Sequence, residues 1–436
     1  MPINILNLSA YEIINFKETE HDYHIYAKTK VPSSMCPRCG SNKMVGHGSD
    51  DITVKDLPIH GKRVGVYISS RRYKCRDCGK TFTEVLPHIN SKRQMTDRLV
   101  QYVGAQALSR TFTGLADEIG VAEGTIRNIF RDYVNELEKT VRFEIPQWMG
   151  IDEIHIIKKP RAVISNIKNN TIVNILPDRN KKTVIKYLNS LDDKNHVRYV
   201  AMDMWNPYRD AVNTVFPDAT IIIDKFHVVR MANDAVEKVR KSIRRSLTQT
   251  ERRTLMHDRF VLLKRQKDLT AKEQLLQSTW FANFQDLEKV YKLKEQFFNI
   301  WEAKDKNEAL DLYNSWRQSI PQNLLVAYHP LITASGNWQE EIFAYFDHKI
   351  TNAYTESLNN LIRVMNRLGR GYSFAALRAK ILFTESMHKV KRPAFEKQPS
   401  ENLMAFRSKS TLDSQFQINY GVDIATLTEL IESGAF

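Results

Sequence analysis

Four cysteines, arranged as two matched pairs, constrain the fold of this chain more than any other feature. Cys36-Pro-Arg-Cys39-Gly and Cys75-Arg-Asp-Cys78-Gly each place two thiols in one tight turn, and the 35 residues 40–74 separate the pairs. Four thiolates suit a closed tetrahedral zinc site, and the glycine after each pair permits the positive φ of such a turn. The intervening segment alternates like a β-hairpin. We therefore expect a zinc ribbon with structural Zn²⁺; unligated, buried or redox-active cysteines are the alternative.

The charge balance indicates a polyanionic partner. Lysine and arginine number 64 against 50 aspartates and glutamates, which gives a net charge of +14. A surplus of this size is typical of nucleic-acid-binding proteins, although a solvated basic surface gives the same composition. The sequence contains no apolar run long enough for a transmembrane helix, and its first residues do not resemble a signal peptide. We therefore expect a cytoplasmic protein with no membrane partner.

Residues 111–134 predict a helix-turn-helix. The first helix is expected to be capped by Thr113, a Gly-Val pair makes the turn, and the second helix begins near Glu123. Three polar residues occupy the early turns of that second helix, where a recognition helix contacts base edges: Thr125, Arg127 and Asn128. These residues are predicted to bind DNA, and a helical hairpin without DNA contact is the alternative.

From Met149 onward the chain reads as strand, strand, strand, helix, strand, helix, strand. This order matches an RNase H-like sheet, in which acids on the first and fourth strands and on a late helix bind two divalent cations. Asp152 lies on the first predicted strand, Asp203 ends the fourth, and Asp224 ends the fifth. For the strand-end aspartates, capping of the following helix is the main alternative.

Glu356 is the candidate for the acid on the late helix. A helix beginning after Asn352 is expected to turn its apolar residues toward a core: Leu358, Leu361, Ile362, Met365 and Leu368. The opposite face then carries one carboxylate, one amide and two guanidiniums, from Glu356, Asn360, Arg363 and Arg367. Such a face suits a site that holds both metal and DNA.

Several blocks of the sequence together resemble insertion-sequence transposases of the ISL3 family, nearly from end to end. Besides the ribbon and the helix-turn-helix, they are GIDEIHI, VAMDMWNPYRDAV, FPDATIIIDKFHVV and NAYTESLNNLIRVMNRLG. The resemblance implies DDE chemistry with Mg²⁺ or Mn²⁺: hydrolysis at the element ends, then attack of the freed 3′-hydroxyl on target DNA. It also implies double-stranded DNA as partner, through terminal inverted repeats and target, a homodimer, and a bacterial nucleoid-associated location.

The resemblance implies that Asp152, Asp203 and Glu356 are the catalytic triad and that the same three residues bind magnesium. Asp224 and His227 form an Asp-x-x-His pair that resembles the signature accompanying the triad in Mutator-type transposases. The topology also places the second acid after the fourth strand. Asp224 and His227 are therefore expected to be accessory site residues, with Asp224 as the alternative second acid.

The expected architecture is an α+β multidomain chain, whose RNase H-like α/β catalytic domain is interrupted by an all-helical insertion. The predicted parts are a zinc-ribbon domain (1–90), a helix-turn-helix domain (91–145), the first part of the catalytic core (146–229), the insertion (230–345), the second part of the core with its Glu-bearing helix (346–392) and a C-terminal tail (393–436).

Arg363 and Arg367 are expected to contact DNA. Basic residues after His227 are expected to contact phosphates, with a solvated helix as the alternative: Lys238, Arg240, Lys241, Arg244, Arg245, Arg252 and Arg253. A non-catalytic DNA-binding regulator and an RNase H-type nuclease or resolvase are the alternative functions.

Overall fold

A computed structural model of the chain describes residues 7–142, 144–255 and 258–390. The predicted C-terminal tail, 393–436, lies outside the described residues. Within the described ranges, no helix combines the length and the apolar character needed to cross a membrane.

The N-terminal sheet is built around one long hairpin. Its strands are β1 (Tyr11–Glu18), β2 (Asp22–Thr29), β3 (Met44–Ile59), β4 (Lys62–Cys75), β5 (Thr81–Thr83), β6 (Ile89–Asn90) and β7 (Met95–Thr96). They lie in the order β1-β2-β4-β3-β7-β6, and β5 pairs with β4. The antiparallel β3–β4 hairpin, predicted from the alternation, is confirmed and runs from Ile59 opposite Lys62 to Met44 opposite Cys75. This register brings both cysteine pairs to the open end of the hairpin.

Three helices follow the hairpin: α1 (Asp97–Ser109), α2 (Phe112–Ile119) and α3 (Glu123–Glu138). α2 and α3 form the predicted helix-turn-helix, and α3 begins at Glu123 as expected. The predicted cap of α2 is wrong by two residues. Thr111, not Thr113, is the N-cap, and its side-chain oxygen accepts a hydrogen bond from the N–H of Gly114.

A second sheet follows in the predicted order of strands and helices. It contains β8 (Trp148–Ile156), β9 (Lys159–Asn166), β10 (Thr171–Ile175), β11 (Tyr199–Met202) and β12 (Thr220–Ile223), with α4 (Lys181–Asn189) and α5 (Asn206–Val215) between strands. The strand order is β10-β9-β8-β11-β12. β8, β9 and β10 pair antiparallel, whereas β8, β11 and β12 pair parallel. One face packs on α4 and α5, and the other packs on two late helices, which join it to the helix-turn-helix in one buried cluster.

The rest of the described chain is helical. The helices are α6 (Lys225–Ser246), α7 (Gln249–Thr254), α8 (Asp258–Leu262), α9 (Ala271–Asn283), α10 (Gln285–Ile300), α11 (Lys306–Gln318), α12 (Leu325–Asn337), α13 (Gln339–His348), α14 (Ala353–Leu368) and α15 (Phe374–Glu385), and short 3-10 helices span Lys194–His196, Gln266–Asp268 and Gln322–Leu324. Buried aromatic residues join α10 to its neighbours. The indole N–H of Trp316 donates to the carbonyl of Leu293 at 2.9 Å, and the Tyr328 hydroxyl donates to the carbonyl of Val290 at 2.8 Å.

Two of the basic residues expected to contact phosphate form ion pairs within the protein. Arg240 is 9% exposed, and its guanidinium lies 2.8 Å from Glu237 and 3.1 Å from Asp258. Arg244 contacts the same Asp258 carboxylate at 3.2 Å and also donates to the carbonyl of Leu255. The ion pairs hold Arg240 inside the helical part, where DNA does not reach it, whereas the side chain of Arg244 is 32% exposed and its phosphate contact stays a prediction. Glu237 lies one helical turn before Arg240 in the sequence, whereas Asp258 is brought in by folding.

A buried lysine joins the helix-turn-helix to α15. Lys380 is 1% exposed, and its ammonium donates to the carbonyls of Ala107 and Arg110 near the end of α1. The same ammonium lies 4.6 Å from the ring centroid of Phe112 and 4.8 Å from that of Tyr372. The carbonyls and the ring faces replace the water that this charge loses on folding.

Burial lowers the pKa of Lys380 to about 7. An unfolded chain keeps a lysine pKa near 10.4, so between these values the unfolded state binds more protons and Lys380 makes stability rise with pH. Lys380→Met removes this contribution. We expect the stability of the variant relative to the native protein, measured by urea unfolding, to fall by about 1 kcal/mol per pH unit from pH 7 to pH 9. Lys182→Met, at an exposed position of α4, is the matched control and should show a constant difference. A constant difference for Lys380→Met would contradict the prediction.

Candidate active site and zinc site

The register of three parallel strands sets three aspartates side by side. Met202 of β11 pairs with Ile151 of β8 and with Ile223 of β12. The residues that directly follow these three positions are Asp152, Asp203 and Asp224. Because residues in register on parallel strands point to the same face, the three carboxylates converge at one edge of the sheet.

Two of the three carboxyl groups are buried, and the side chain of Asp203 is 25% exposed. Asp152 is 6% exposed and Asp224 is 1% exposed. Burial, followed by repulsion from Asp152 and Asp224, raises the pKa of Asp203 to about 8. Burial raises the pKa of Asp152 to about 6, opposed by His227 and reinforced by Glu356, and burial also raises the pKa of Asp224. The surroundings therefore oppose ionisation of these carboxyl groups, and a bound cation would favour their charged form.

α14 approaches the sheet closely because Gly150 has no side chain. A Cβ at this position would lie 2.3 Å from Oγ of Ser165 and 2.7 Å from Oγ1 of Thr355. The hydroxyls of Ser165 and Thr355 are hydrogen-bonded to each other at 2.6 Å, and both residues are buried. This contact fixes the first turn of α14 against β8 and β9, which places Glu356 beside the aspartates.

Glu356 and His227 complete the cluster. A carboxylate oxygen of Glu356, a ring nitrogen of His227 and a carboxylate oxygen of Asp224 lie within 4.8 Å of one another. Nε2 of His227 is 3.0 Å from Oδ1 of Asp203 and 3.9 Å from Oε1 of Glu356. The structure thus brings the three aspartates together with Glu356 and His227, although these residues span more than 200 positions of the chain, from 152 to 356.

The donor set fits hard divalent cations. Oδ2 of Asp224 is buried and has no hydrogen-bond partner within the described residues, and Oδ1 of Asp203 is buried against Nε2 of His227. An unsatisfied buried carboxylate oxygen is costly, and Mg²⁺ or Mn²⁺ prefers such oxygen ligands. Imidazole is a poorer ligand for Mg²⁺, which fits an accessory position for His227.

Only one of the two strand-end aspartates, Asp203 and Asp224, caps the helix that follows it. Oδ1 of Asp224 accepts a hydrogen bond from the N–H of Phe226 at 3.3 Å, so Asp224 is the N-cap of α6. Asp203 does not cap α5, whose N-cap is Trp205 and which has no side-chain cap bond. The capping alternative therefore holds for Asp224 and fails for Asp203.

The faces of α14 differ in part from the predicted ones. Leu358 and Ile362 are buried as expected, whereas Leu361 and Leu368 are 38% and 62% exposed, so their assignment to the core is wrong. Three polar residues of the predicted outer face are exposed: Asn360, Arg363 and Arg367. The side chain of Glu356 is 46% exposed and is open to a substrate.

Asn359 is a site residue that the apolar periodicity does not reveal. It is 3% exposed, and its Nδ2 donates to Oδ2 of Asp152 at 2.7 Å. The N–H of Glu153 donates to the other oxygen of Asp152 at 2.6 Å. Asn359 lies three residues after Glu356, so both project from the same side of α14, and it ends the Glu-Ser-x-Asn run that belongs to the family resemblance.

The four cysteines form the predicted cluster. Sγ of Cys36 lies 3.8 Å from Sγ of Cys78, and Sγ of Cys39 lies 3.6 Å from Sγ of Cys75. Zinc–sulfur bonds of about 2.3 Å in a tetrahedron put sulfurs about 3.8 Å apart, so these separations fit bound Zn²⁺. Hydrogen bonds from backbone N–H groups, first that of Cys78, lower the pKa of Cys75 to about 7, which favours the thiolate. The glycine that follows each pair has positive φ, 72° at position 40 and 66° at position 79, as predicted.

The predicted base-reading residues of α3 differ in their surroundings. Asn128 is exposed and Thr125 is half-buried. The guanidinium of Arg127 lies 2.6 Å from the Glu123 carboxylate and 5.2 Å from the ring centroid of Phe112. Asn128 is therefore accessible to a DNA groove, whereas Arg127 must leave these contacts to reach one.

Three family models match the chain. A model described as "Transposase" matches residues 149–381, one for the zinc-finger of transposase IS204/IS1001/IS1096/IS1165 matches residues 32–78, and one for the helix-turn-helix domain of transposase family ISL3 matches residues 84–134. The transposase for insertion sequence element IS1001 of Bordetella parapertussis is 24% identical over 355 residues, which cover 80% of this chain and 87% of that protein. The transposase for insertion sequence element IS1557 of Mycobacterium tuberculosis (strain CDC 1551 / Oshkosh) is 26% identical over 429 residues, which cover 90% of this chain and 96% of that protein. With its ribbon, its DNA-binding helix-turn-helix and more than half of its length matched in this way, the chain belongs to the ISL3 family of transposases.

Proposed function

We propose that this transposase is a DDE enzyme that hydrolyses DNA at the ends of its insertion sequence and joins the freed 3′-hydroxyl to target DNA. The observation that carries the proposal is the alignment of Asp152 and Asp203 at one sheet edge, with His227 in contact with both Asp203 and Glu356. These three residues would hold two Mg²⁺ or Mn²⁺ ions, and Asp224 and His227 would be accessory. Two bound ions supply activation of the attacking water or hydroxyl and stabilisation of charge on the leaving oxygen.

The remaining residues of the site have supporting roles in this proposal. Asn359 orients Asp152 by donating to one of its oxygens. His227 lies close to both Asp203 and Glu356 and would hold the two side chains in position. Arg363 and Arg367 are exposed on α14 and would contact the phosphates that flank the cleavage position.

The fold supports an RNase H-like assignment for the catalytic part. Its order of three antiparallel strands followed by two parallel ones carries the acids of such a site on the first and fourth strands. We propose that 146–229 and 346–392 form one catalytic core, and that the helices within 230–345 are an insertion in it.

DNA recognition is proposed for the N-terminal parts, 1–90 and 91–145. The recognition helix α3 would read the terminal inverted repeats with Thr125, Arg127 and Asn128, and the zinc ribbon would support it. A homodimer would bind both ends of the element at the nucleoid, in the bacterial cytoplasm, before one 3′-hydroxyl at each end attacks the target.

The direct test is cleavage of a DNA duplex that carries the terminal inverted repeat flanking this gene. We expect purified protein to break a strand at the repeat end with Mg²⁺ or Mn²⁺ and to bind without cleavage when EDTA is present. A duplex with a scrambled repeat is the control and should remain intact. Specific binding with no metal-dependent cleavage would contradict the proposal and would indicate a DNA-binding regulator.

A further inference from the structure

A small cavity opens beside the proposed catalytic acids. Its volume is about 260 Å³, and it is lined by Phe226, His227, Val229, Arg230, Asn233 and Glu356. All of these residues except Glu356 belong to the first turns of α6, directly after the cap Asp224. The presence of His227 and Glu356 in its wall makes the cavity continuous with the carboxylate site.

Three features of the cavity wall have no use in the mechanism described so far. Phe226 is 48% exposed. Oδ1 of Asn233 is buried and has no hydrogen-bond partner within the described part of the chain. Arg230 is exposed between them. Positions 226, 230 and 233 follow the spacing of one helix face, so an aromatic ring, a cation and a hydrogen-bond acceptor line up along α6.

The burial of the acids explains why a nucleotide needs such a surface. Asp152 and Asp224 are almost fully covered, so a phosphate reaches them only if the strand that carries it enters the site. A strand that enters away from its complement leaves the adjacent base unpaired and unstacked. Enzymes that act on such a strand compensate by stacking the base on an aromatic ring and by hydrogen bonds to its edge.

We propose that this cavity binds one nucleobase, unstacked from the DNA end next to the cleaved phosphate. Phe226 stacks on the base, and Arg230 pairs with the neighbouring phosphate. The volume suits a single base, since pockets for larger drug-sized ligands measure about 300–1,000 Å³. The proposal rests on the proposed function, because it concerns the DNA end at which that function acts.

The test compares Phe226→Ala with Phe226→Trp on two DNA ends. One end is fully paired, and the other carries a single mismatch at the nucleotide next to the cleavage position. On the paired end we expect Phe226→Ala to slow single-turnover cleavage roughly 5- to 150-fold, the range of one lost base–aromatic stack. The mismatch removes the cost of unpairing and should restore part of this loss, and Phe226→Trp should cleave both ends at close to the native rate. Leu275→Ala, at a 70% exposed apolar position of α9, is the control that leaves the rates unchanged.

A second readout does not depend on cleavage. A 2-aminopurine base is placed at successive positions of the repeat end, and its fluorescence is followed on binding in Ca²⁺. We expect a change at the position next to the cleavage site with native protein, and a much smaller change with Phe226→Ala at equal DNA occupancy. Equal slowing of both ends by Phe226→Ala, or an undiminished fluorescence change, would overturn the base site. If the native protein binds the repeat but cleaves no end, the proposed function fails, and the fluorescence alone then decides on the cavity.

Discussion

Asp203→Asn is expected to reduce metal-dependent end cleavage by about 10³-fold or more while binding of the terminal repeat persists. Asparagine has nearly the same size, so the fold around β11 is kept, but the negative charge that would hold the cation is lost. Metal ions supply several kcal/mol of transition-state stabilisation, and each 1.36 kcal/mol corresponds to a tenfold change in rate. Single-turnover cleavage measures the loss, and a gel-shift titration in EDTA measures the retained affinity for DNA.

The same variant makes a second, independent prediction about stability. The pKa of Asp203 is raised from its ordinary value to about 8 by burial and by repulsion from its neighbours. Between pH 4 and pH 8 the folded protein therefore binds more protons than the unfolded chain, and this group makes the metal-free protein less stable as the pH rises. Asp203→Asn lacks the ionisable group, so at pH 8 in EDTA the variant should unfold at a higher urea concentration than the native protein. A lower midpoint would contradict a buried, repelled carboxylate.

Asp224→Asn is the matched control for Asp203→Asn. Asp224 caps α6, and asparagine is an equally good N-cap, so this substitution removes charge without removing the helix cap. If Asp203 is the second catalytic acid, Asp224→Asn should slow cleavage less than Asp203→Asn does. Loss of cleavage in Asp224→Asn, with cleavage retained in Asp203→Asn, would assign the second acid to Asp224.

The strand-end acids are visible in the sequence because each follows a short apolar run that fits a buried strand. Val200 to Met202 and Ile221 to Ile223 predict both the strands and the place where each ends. The side-by-side placement of these acids cannot be predicted from the neighbouring sequence. It depends on Met202 pairing with residues some 50 positions earlier and 20 later, which only the assembled sheet determines.

Close contacts between distant segments explain most of what the sequence did not reveal. Gly150 is indistinguishable from any other glycine until α14 packs on it. Asn359 is polar, so the apolar pattern of α14 does not predict that it is buried. It is buried where its side chain donates a hydrogen bond to Asp152. Leu361 fits the apolar pattern of α14 but stays 38% exposed, since the described part of the fold brings too little against that side of the helix to cover it.

Cys75→Ser is expected to unfold the open end of the β3–β4 hairpin while the other end stays folded. Structural Zn²⁺ contributes about 10–16 kcal/mol in zinc-finger peptides, and loss of one thiolate leaves an incomplete site. Zinc content should fall from one ion per chain to near zero. Hydrogen exchange should accelerate near the cysteine pairs, at Met44–Gly46 and Tyr73–Cys75. Arg38→Ser changes an exposed residue inside one cysteine pair but keeps all four thiols, so it should retain both zinc and protection.

The far end of the hairpin is held by contacts that zinc does not supply. Near the hairpin tip, Asp56 is 2% exposed, accepts a hydrogen bond from Thr96 at 2.6 Å and pairs with Arg98 at the start of α1. About 12 residues separate Asp56 from the cysteine end, or roughly 40 Å of extended strand. Because local unfolding spreads only as far as the stabilising contacts are lost, amides around Asp56 should stay protected in Cys75→Ser. If exchange instead accelerated along the whole hairpin and through α1–α3, zinc would be required to fold the helix-turn-helix as well as the ribbon.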